Sequence, residues 1–308
     1  MPGATSPNPW TLVLAGGDGT RLQELTRQIA GAPIPKQYCR LLGERSLLEA
    51  TLDRARHVTP SRRILIVVNN DHLAIGRDQL GSVPVENVLV QPCNRDNGPG
   101  LMFALQQLAQ KDPQTIVIVM PSDHYVSDDR AFAAHISRAV RMVQRFPDKV
   151  ALLGIRPDHP DTGYGYVKPS HRMWSGRSED TAYHVEAFAE KPSYELASQL
   201  LSSGGLWNSF VMVFQVRRML ALIELTVPEE YARLRDVATH ALTDFYRTLS
   251  RWNFSSAVLA HIPQHLMVLR VDDVSWSDWG TREAIERTLL ALHQTPPWQA
   301  STRASVAA

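Results

Sequence analysis

The segment "GGDGTR", Gly16 to Arg21, follows directly on an apolar run from Thr11 to Leu14. Three glycines in four positions cost backbone entropy, which is tolerated where a backbone must approach something closely. Glycines let successive N–H groups converge on phosphate oxygens, and Arg21 can meet the same anion with its planar fork. A tight Gly-rich turn is the alternative for the loop taken alone. Two familiar phosphate motifs are excluded. No Lys-Ser/Thr follows the glycines, so the loop is not a Walker A, and Leu22 stands where a dinucleotide fingerprint has its third glycine. Asp18 is the odd member of an anion loop, tolerable if it points to solvent or toward a metal ion.

Further along, "PIPKQY" pins Lys36 between Pro35 and Gln37 as a positioned point charge. The chain is poor in lysine, with Lys36, Lys111, Lys149, Lys168 and Lys191 as the full set, although a lone loop lysine also reads as a surface residue. In "TIVIVMPSDHYV" a buried run ends at Asp123, a carboxylate facing the crevice where α/β sheets place ligands. Mg²⁺ carrying nucleotide phosphates would be its partner there; a turn cap is the alternative. Asp278 lies between tryptophans in "VSWSDWGT", ahead of a helix that it could instead cap. His124 beside Asp123 reads as structural. Two separated carboxylates, a lysine and a Gly-rich loop suit Mg²⁺-assisted attack on a nucleotide α-phosphorus, which needs positioning and charge neutralisation rather than a protein nucleophile. No Ser-His-Asp or Cys-His arrangement competes.

These residues need a scaffold. Strands are expected at 11–15, 63–68, 85–91 and 115–120, alternating with helices starting at 46, 98 and 129. Ser46 and Glu49 form a capping box at the first of these helices. Continuous apolar strands alternating with helices predict a parallel sheet covered on both faces. The second half is more mixed, with strands expected at 151–157, 184–190, 210–216 and 266–272. Helices are expected there at 193–203, 216–225, 228–240 and 279–293. The segment 1–9 reads as a flexible N-terminus, 10–294 as one α/β domain and 295–308 as a disordered tail.

Composition narrows the partners. With 308 residues, 44% apolar and 20% charged, the chain is ordinary for a globular protein. A net charge of +1 gives no reason to expect nucleic acid or acidic membranes as partners. Cys39 and Cys93 make neither a disulfide framework nor a metal-ligand set. The N-terminal stretch lacks the pattern of a secretory signal, and no apolar run approaches the roughly 20 residues of a membrane span. A cytoplasmic setting is the expectation; whether the chain forms a homodimer is left open.

The motifs together resemble the sugar-1-phosphate nucleotidyltransferases, and among them the mannose-1-phosphate guanylyltransferases. "LAGGDGTRL", "PKQY", "QPCNRDNGPG", "PSDHYV", "DTGYGYV", "FAEKP", "LWNS" and "SWSDWGT" occur in the family's order between about residues 10 and 292. The resemblance implies a Rossmann-like α/β fold with a mixed, mostly parallel sheet flanked by helices. It also implies transfer from a nucleoside triphosphate, GTP favoured, to a sugar 1-phosphate, giving GDP-mannose and pyrophosphate with Mg²⁺ as cofactor. Nucleotide would lie on Ala15, Gly16, Gly17, Gly19 and Thr20, with Gln91 and Ser122 beside it. Arg21 would meet the leaving pyrophosphate, Lys36 the charge near the α-phosphate, and Asp123 and Asp278 would hold the metal. Lys191 would pair with the sugar's phosphate, Glu190 and Asn208 with sugar hydroxyls, and Gly163, Tyr164 and Gly165 would lie against the sugar.

Several residues depart from the family pattern. "QEL" replaces a Trp-Pro-Leu-like stretch after Leu22, and "TRQIAGAP" lengthens the path to Lys36, predicting a longer loop. Phe210 stands where the family has a small residue, Gln91 where glutamate is common, and Asn97 where threonine is expected. Base and sugar choice are therefore open. So are the same chemistry on other substrates, or a catalytically weak nucleotide-sugar-binding regulatory protein.

Overall fold

The computed structural model describes residues 8–81, 83–175, 180–235, 237 and 242–298. Along β1 (Trp10–Leu14) the side chains alternate, Leu12 to one face of the sheet and Val13 to the other, both fully buried. The same period runs through β2 (Ile64–Asn69): Ile64, Ile66 and Val68 join Val13, while Leu65 and Val67 join Leu12. Helices must therefore cover both faces. The helices of this half are α1 (Gln23–Ala30), α2 (Leu47–Arg56), the one-turn α3 (Leu73–Gly76), α4 (Asn97–Lys111) and α5 (Asp129–Arg145). α2 and α5 pack Leu48, Leu52, Phe132 and Ile136 on the Val13 face, and α4 packs Leu101, Leu105 and Leu108 on the Leu12 face. Ser46 and Glu49 make the expected capping box at α2.

The remaining strands of the first half are β3 (Val88–Gln91), β4 (Ile116–Pro121) and the short β5 (Tyr125–Val126). Then follow β6 (Val150–Ile155), β7 (Gly165–Ser175), β8 (Thr181–Glu190), α6 (Tyr194–Ser202) and β9 (Leu206–Gln215). α7 (Val216–Thr226), α8 (Pro228–Arg235), α9 (Leu242–Thr248) and α10 (Phe254–Ala257) come next. β10 (Leu266–Val271), β11 (Trp276–Ser277) and α11 (Arg282–Ala291) complete the described elements. The main sheet has the order β3-β2-β1-β4-β9-β6-β10-β8-β7. From β3 to β4 it is wholly parallel, as expected; β9 then runs antiparallel to both β4 and β6. β5 and β11 form a separate antiparallel ribbon, pairing Tyr125 with Ser277 and Val126 with Trp276.

Three expectations change. The lengthened path after Leu22 is not a loop: it holds α1, which buries Leu25 and Thr26 and ends in a left-handed Gly31 whose N–H returns to Arg27 O. Residues 85–87 form a 3₁₀ turn, and β3 starts only at Val88. At the C-terminus, α11 starts at Arg282 rather than 279, capped by Thr281. The helix expected over 228–240 is present as α8 to Arg235, while 236 and 238–240 lie outside the described residues. Of the expected tail, Trp298 is packed with Leu22, Leu25, Leu41, Trp279 and Leu289 in a small third cluster, and 299–308 lie outside the described residues. Likewise 1–7 of the expected flexible N-terminus lie outside.

Candidate active site

A cleft of about 480 Å³ opens at the carboxyl ends of β1, β3 and β4. Gly16, Gly17, Thr20 and Arg21 line it. The loop's three leading carbonyls are turned away and held by side chains. Ala15 O accepts from Tyr38 Oη (2.8 Å) and Gln37 Nε2 (3.1 Å), Gly16 O from Asn69 Nδ2 (2.6 Å), and Gly17 O from Gln37 Nε2 (2.7 Å). Among the described residues, no protein acceptor takes the N–H groups of Gly16 to Arg21. Carbonyls tied back and amides left free make an anion nest. Gly19 is left-handed (φ 59°), and a Cβ there would meet Lys36 N at 3.0 Å, so the loop rests directly on the Lys36 segment. Asp18 is partly exposed to solvent, as expected of it, and is also tethered: it accepts from Asn94 Nδ2 at 2.8 Å and Asn69 Nδ2 at 3.3 Å.

Lys36 itself is buried beneath the cleft. Its ammonium lies 3.2 Å from Asp123 Oδ2 and donates to the backbone carbonyls of Asp278 and Trp279, the latter at 3.1 Å. Asp123 follows β4, and Asp278 follows β11. The β5–β11 ribbon sets Ser277 opposite Tyr125, which brings the two carboxylates to one wall of the cleft. Asp278 does not cap α11; its Oδ1 accepts the N–H of Gly280 at 2.7 Å. A Cβ on Gly280 would lie 2.6 Å from Asp278 Oδ2 and 2.9 Å from an Arg21 guanidinium nitrogen, so this glycine lets Arg21 reach the carboxylate wall. Burial alone would raise the Asp123 carboxyl, but the Lys36 ammonium and His124 outweigh it and hold the group below the usual carboxylate range. Burial lowers His124 below the usual imidazole range against the opposing pull of Asp123, and its ring packs edge-on against Trp276.

The opposite part of the cleft carries the remaining candidates. Gln91, at the end of β3, is wedged between glycines: a Cβ on Gly16 would lie 2.4 Å from its Nε2, and one on Gly100 2.7 Å from its Oε1. Its Nε2 donates to Asn69 Oδ1, while its buried Oε1 has no protein partner. Gly163, Tyr164, Gly165, Glu190, Lys191 and Asn208 all line the cleft, as does Ser122. Burial raises the Glu190 carboxyl; Lys191 and a hydrogen bond from Ser255 oppose this, and Asp96 adds to it. A Cβ on Gly165 would lie 2.7 Å from Glu190 Oε2, so only glycine permits the carboxylate this position. Of the sequence candidates, Ala15, Gly19 and Lys36 do not face the cleft; they hold up the residues that do.

A nucleotidyl transferase family model matches residues 10–295. The chain belongs to that family. Mannose-1-phosphate guanylyltransferase 2 of Escherichia coli O157:H7 is similar, 28% identical over 290 residues, which cover 89% of this chain and 58% of that one. Mannose-1-phosphate guanylyltransferase of E. coli K12 is 30% identical over 225 residues, 71% of this chain and 45% of the relative. The chain thus spans less than two thirds of the length of these curated relatives. A crystal structure described as mannose-1-phosphate geranyltransferase from Thermus thermophilus superposes with a TM-score of 0.78 at 30% identity, covering 91% of this chain and 78% of that one.

Motif reading missed one wall of the cleft. Arg251 and Asn253, from the segment joining α9 to α10, and Ser255 in α10 line it. That segment is docked on the Asn94–Gly100 turn. Arg95 donates to Tyr246 O (2.7 Å) and Arg247 O (2.8 Å), Asn97 Oδ1 accepts from Phe254 N (2.8 Å), and Gly98 leaves room for the Trp252 ring. The non-family Asn97 is the one hint in the sequence, since its side chain holds this wall in place.

Proposed function

We propose that the chain catalyses nucleotidyl transfer from GTP to mannose 1-phosphate, giving GDP-mannose and pyrophosphate. One observation carries the reading: Gly16, Gly17, Thr20 and Arg21, whose amides take no protein acceptor among the described residues, line the same cleft as Asp123, Asp278 and the Glu190–Lys191 pair. A triphosphate site and a sugar-phosphate site therefore share one space. The names of the relatives favour guanosine and mannose.

In this reading the loop amides and Arg21 bind the β- and γ-phosphates that leave as pyrophosphate. Lys191 holds the sugar's phosphate, one of whose oxygens attacks the α-phosphorus. Glu190 and the amide of Asn208 bond sugar hydroxyls and fix the ring. Lys36 orients Asp123 and adds positive charge behind the reacting phosphate. Asp123 and Asp278 are hard oxygen donors converging on the phosphate region, the donor set a Mg²⁺ ion takes when substrate phosphates and water complete its shell. Bound there, Mg²⁺ would neutralise charge on the triphosphate. No step requires a protein nucleophile.

The test is pyrophosphate release by purified protein with Mg²⁺, across four nucleoside triphosphates and a panel of sugar 1-phosphates. Release is expected to require GTP and mannose 1-phosphate, and to fall by about 100-fold or more in Asp123→Ala. Release with another pair would keep the chemistry and replace the substrates. No release with any pair would overturn the reading.

A further inference from the structure

Phe210 stands in the middle of β9 with φ 57°, a left-handed backbone that glycine adopts freely and a bulky aromatic residue adopts only under strain. The cause lies in the strand. The register of β9 against β6 shifts between Leu152 and Gly154, Ser209 Oγ donates to Leu153 O (2.7 Å) and accepts from Val211 N (3.2 Å), and Asn208 Oδ1 accepts from Phe210 N (3.1 Å). This irregularity turns the Phe210 ring onto the cleft, where it packs edge-on against Phe254 with centroids 6.2 Å apart. Phe254 precedes Ser255, the partner of Glu190, and Asn208 Cβ lies 3.5 Å from where a Cβ of Gly165 would be. The ring therefore lines the same cleft as Gly165, Glu190 and Asn208, and the Phe210 backbone N–H is held by the Asn208 side chain. Strain kept at a cleft residue points to a use for the side chain that bears it.

We propose that Phe210 is a specificity-determining residue of the sugar-1-phosphate subsite, restricting it to compact hexose 1-phosphates and shutting out N-acylated ones. This rests on the transfer reading above. The benzyl group takes more room than an acetamido group, so a substituent directed at this side of the cleft meets the ring. The phenyl surface also offers no partner to an amide N–H or C=O, and an amide pressed against it would lose its hydration without compensation. A plain hydroxyl can instead be met by Glu190 or Asn208. In this way one apolar side chain discriminates by volume and by polarity at once.

The test is calorimetric titration of wild type, Phe210→Gly and Phe210→Leu with mannose 1-phosphate and with N-acetylglucosamine 1-phosphate, with pyrophosphate release measured on the same samples. Wild type is expected to favour the hexose, and Phe210→Gly to narrow the ratio of dissociation constants by about tenfold or more, mainly by gaining the N-acetylated ligand. Phe210→Leu, which keeps bulk but loses the flat ring, should narrow it less, and it decides the matter if the glycine variant does not fold. An unchanged ratio in the folded variants overturns the proposal, as does a wild type that binds neither ligand. Discrimination by wild type that collapses in the variants, without pyrophosphate release from any of them, would uphold the gate and overturn the transfer reading instead.

Discussion

Lys36 joins a charge, two backbone carbonyls and a carboxylate at one buried point. Replacing it by methionine keeps most of the stem but removes the ammonium that faces Asp123 and the carbonyls of Asp278 and Trp279. Turnover should fall by about 100- to 1,000-fold, as when one preorganised electrostatic contact is deleted, with a smaller change in KM. A fall confined to KM, measured by pyrophosphate release, would show that Lys36 only binds. At this scale most of the site was legible in the sequence, because Gly16, Arg21, Asp123, Lys191 and Asp278 sit in motifs whose order is itself informative. What could not be read was the division between residues that face the cleft and residues that support them. Lys36 and Ala15 belong to the second group, because the partners that bury them come from elsewhere in the chain.

Elements differ in how plainly they announce themselves. β1, β2 and β4 are continuous apolar runs and were readable. β7 was not: "YVKPSHRMWS" is polar, and Pro169 sits where its register against β8 shifts, as a proline on an outer strand must. α1 was hidden because it buries little besides Leu25 and Thr26. One joint between elements yields a pH test. Arg141 on α5 holds Asp180, at the entry to β8, through two hydrogen bonds of 2.8 and 2.6 Å. Those bonds keep the Asp180 carboxyl below its usual range. For an acid shifted downward, the stabilisation is present above the unfolded-state value, near 3.9, and is lost as pH falls through the folded-state value. Asp180→Asn should cost about 1 kcal/mol at pH 7, since the arginine is half exposed, and should flatten the acid side of the stability profile. Urea melts between pH 2 and 7 would check this. Parallel profiles for the two proteins would count against the joint.

At the scale of the whole molecule, the third hydrophobic cluster ties Trp298 to the start of the site. Trp298 shares that cluster with Leu22, the neighbour of Arg21, and with Trp279, the neighbour of Asp278. Trp298→Ala should cost about 3 kcal/mol, at the low end for a buried tryptophan, read from denaturant melts. It should also raise the KM for the triphosphate by loosening α1 beneath Arg21. An unaltered KM in a destabilised protein would confine the cluster to stability. This cluster escaped sequence reading because "TPPWQA" has no periodicity; its single anchor is recognisable only beside the surface it covers. The β5–β11 ribbon has a further consequence, one of timing. Lys36 and the carbonyl it meets at Asp278 are 242 residues apart, and the two carboxylates become neighbours through a pairing of only two residues on each side. Closing so long a loop must await the synthesis of everything between them. A chain still emerging from the ribosome holds the glycine loop and Asp123 but lacks the second carboxylate. Under the proposed transfer reading, turnover waits until Asp278 has been made and the ribbon has paired.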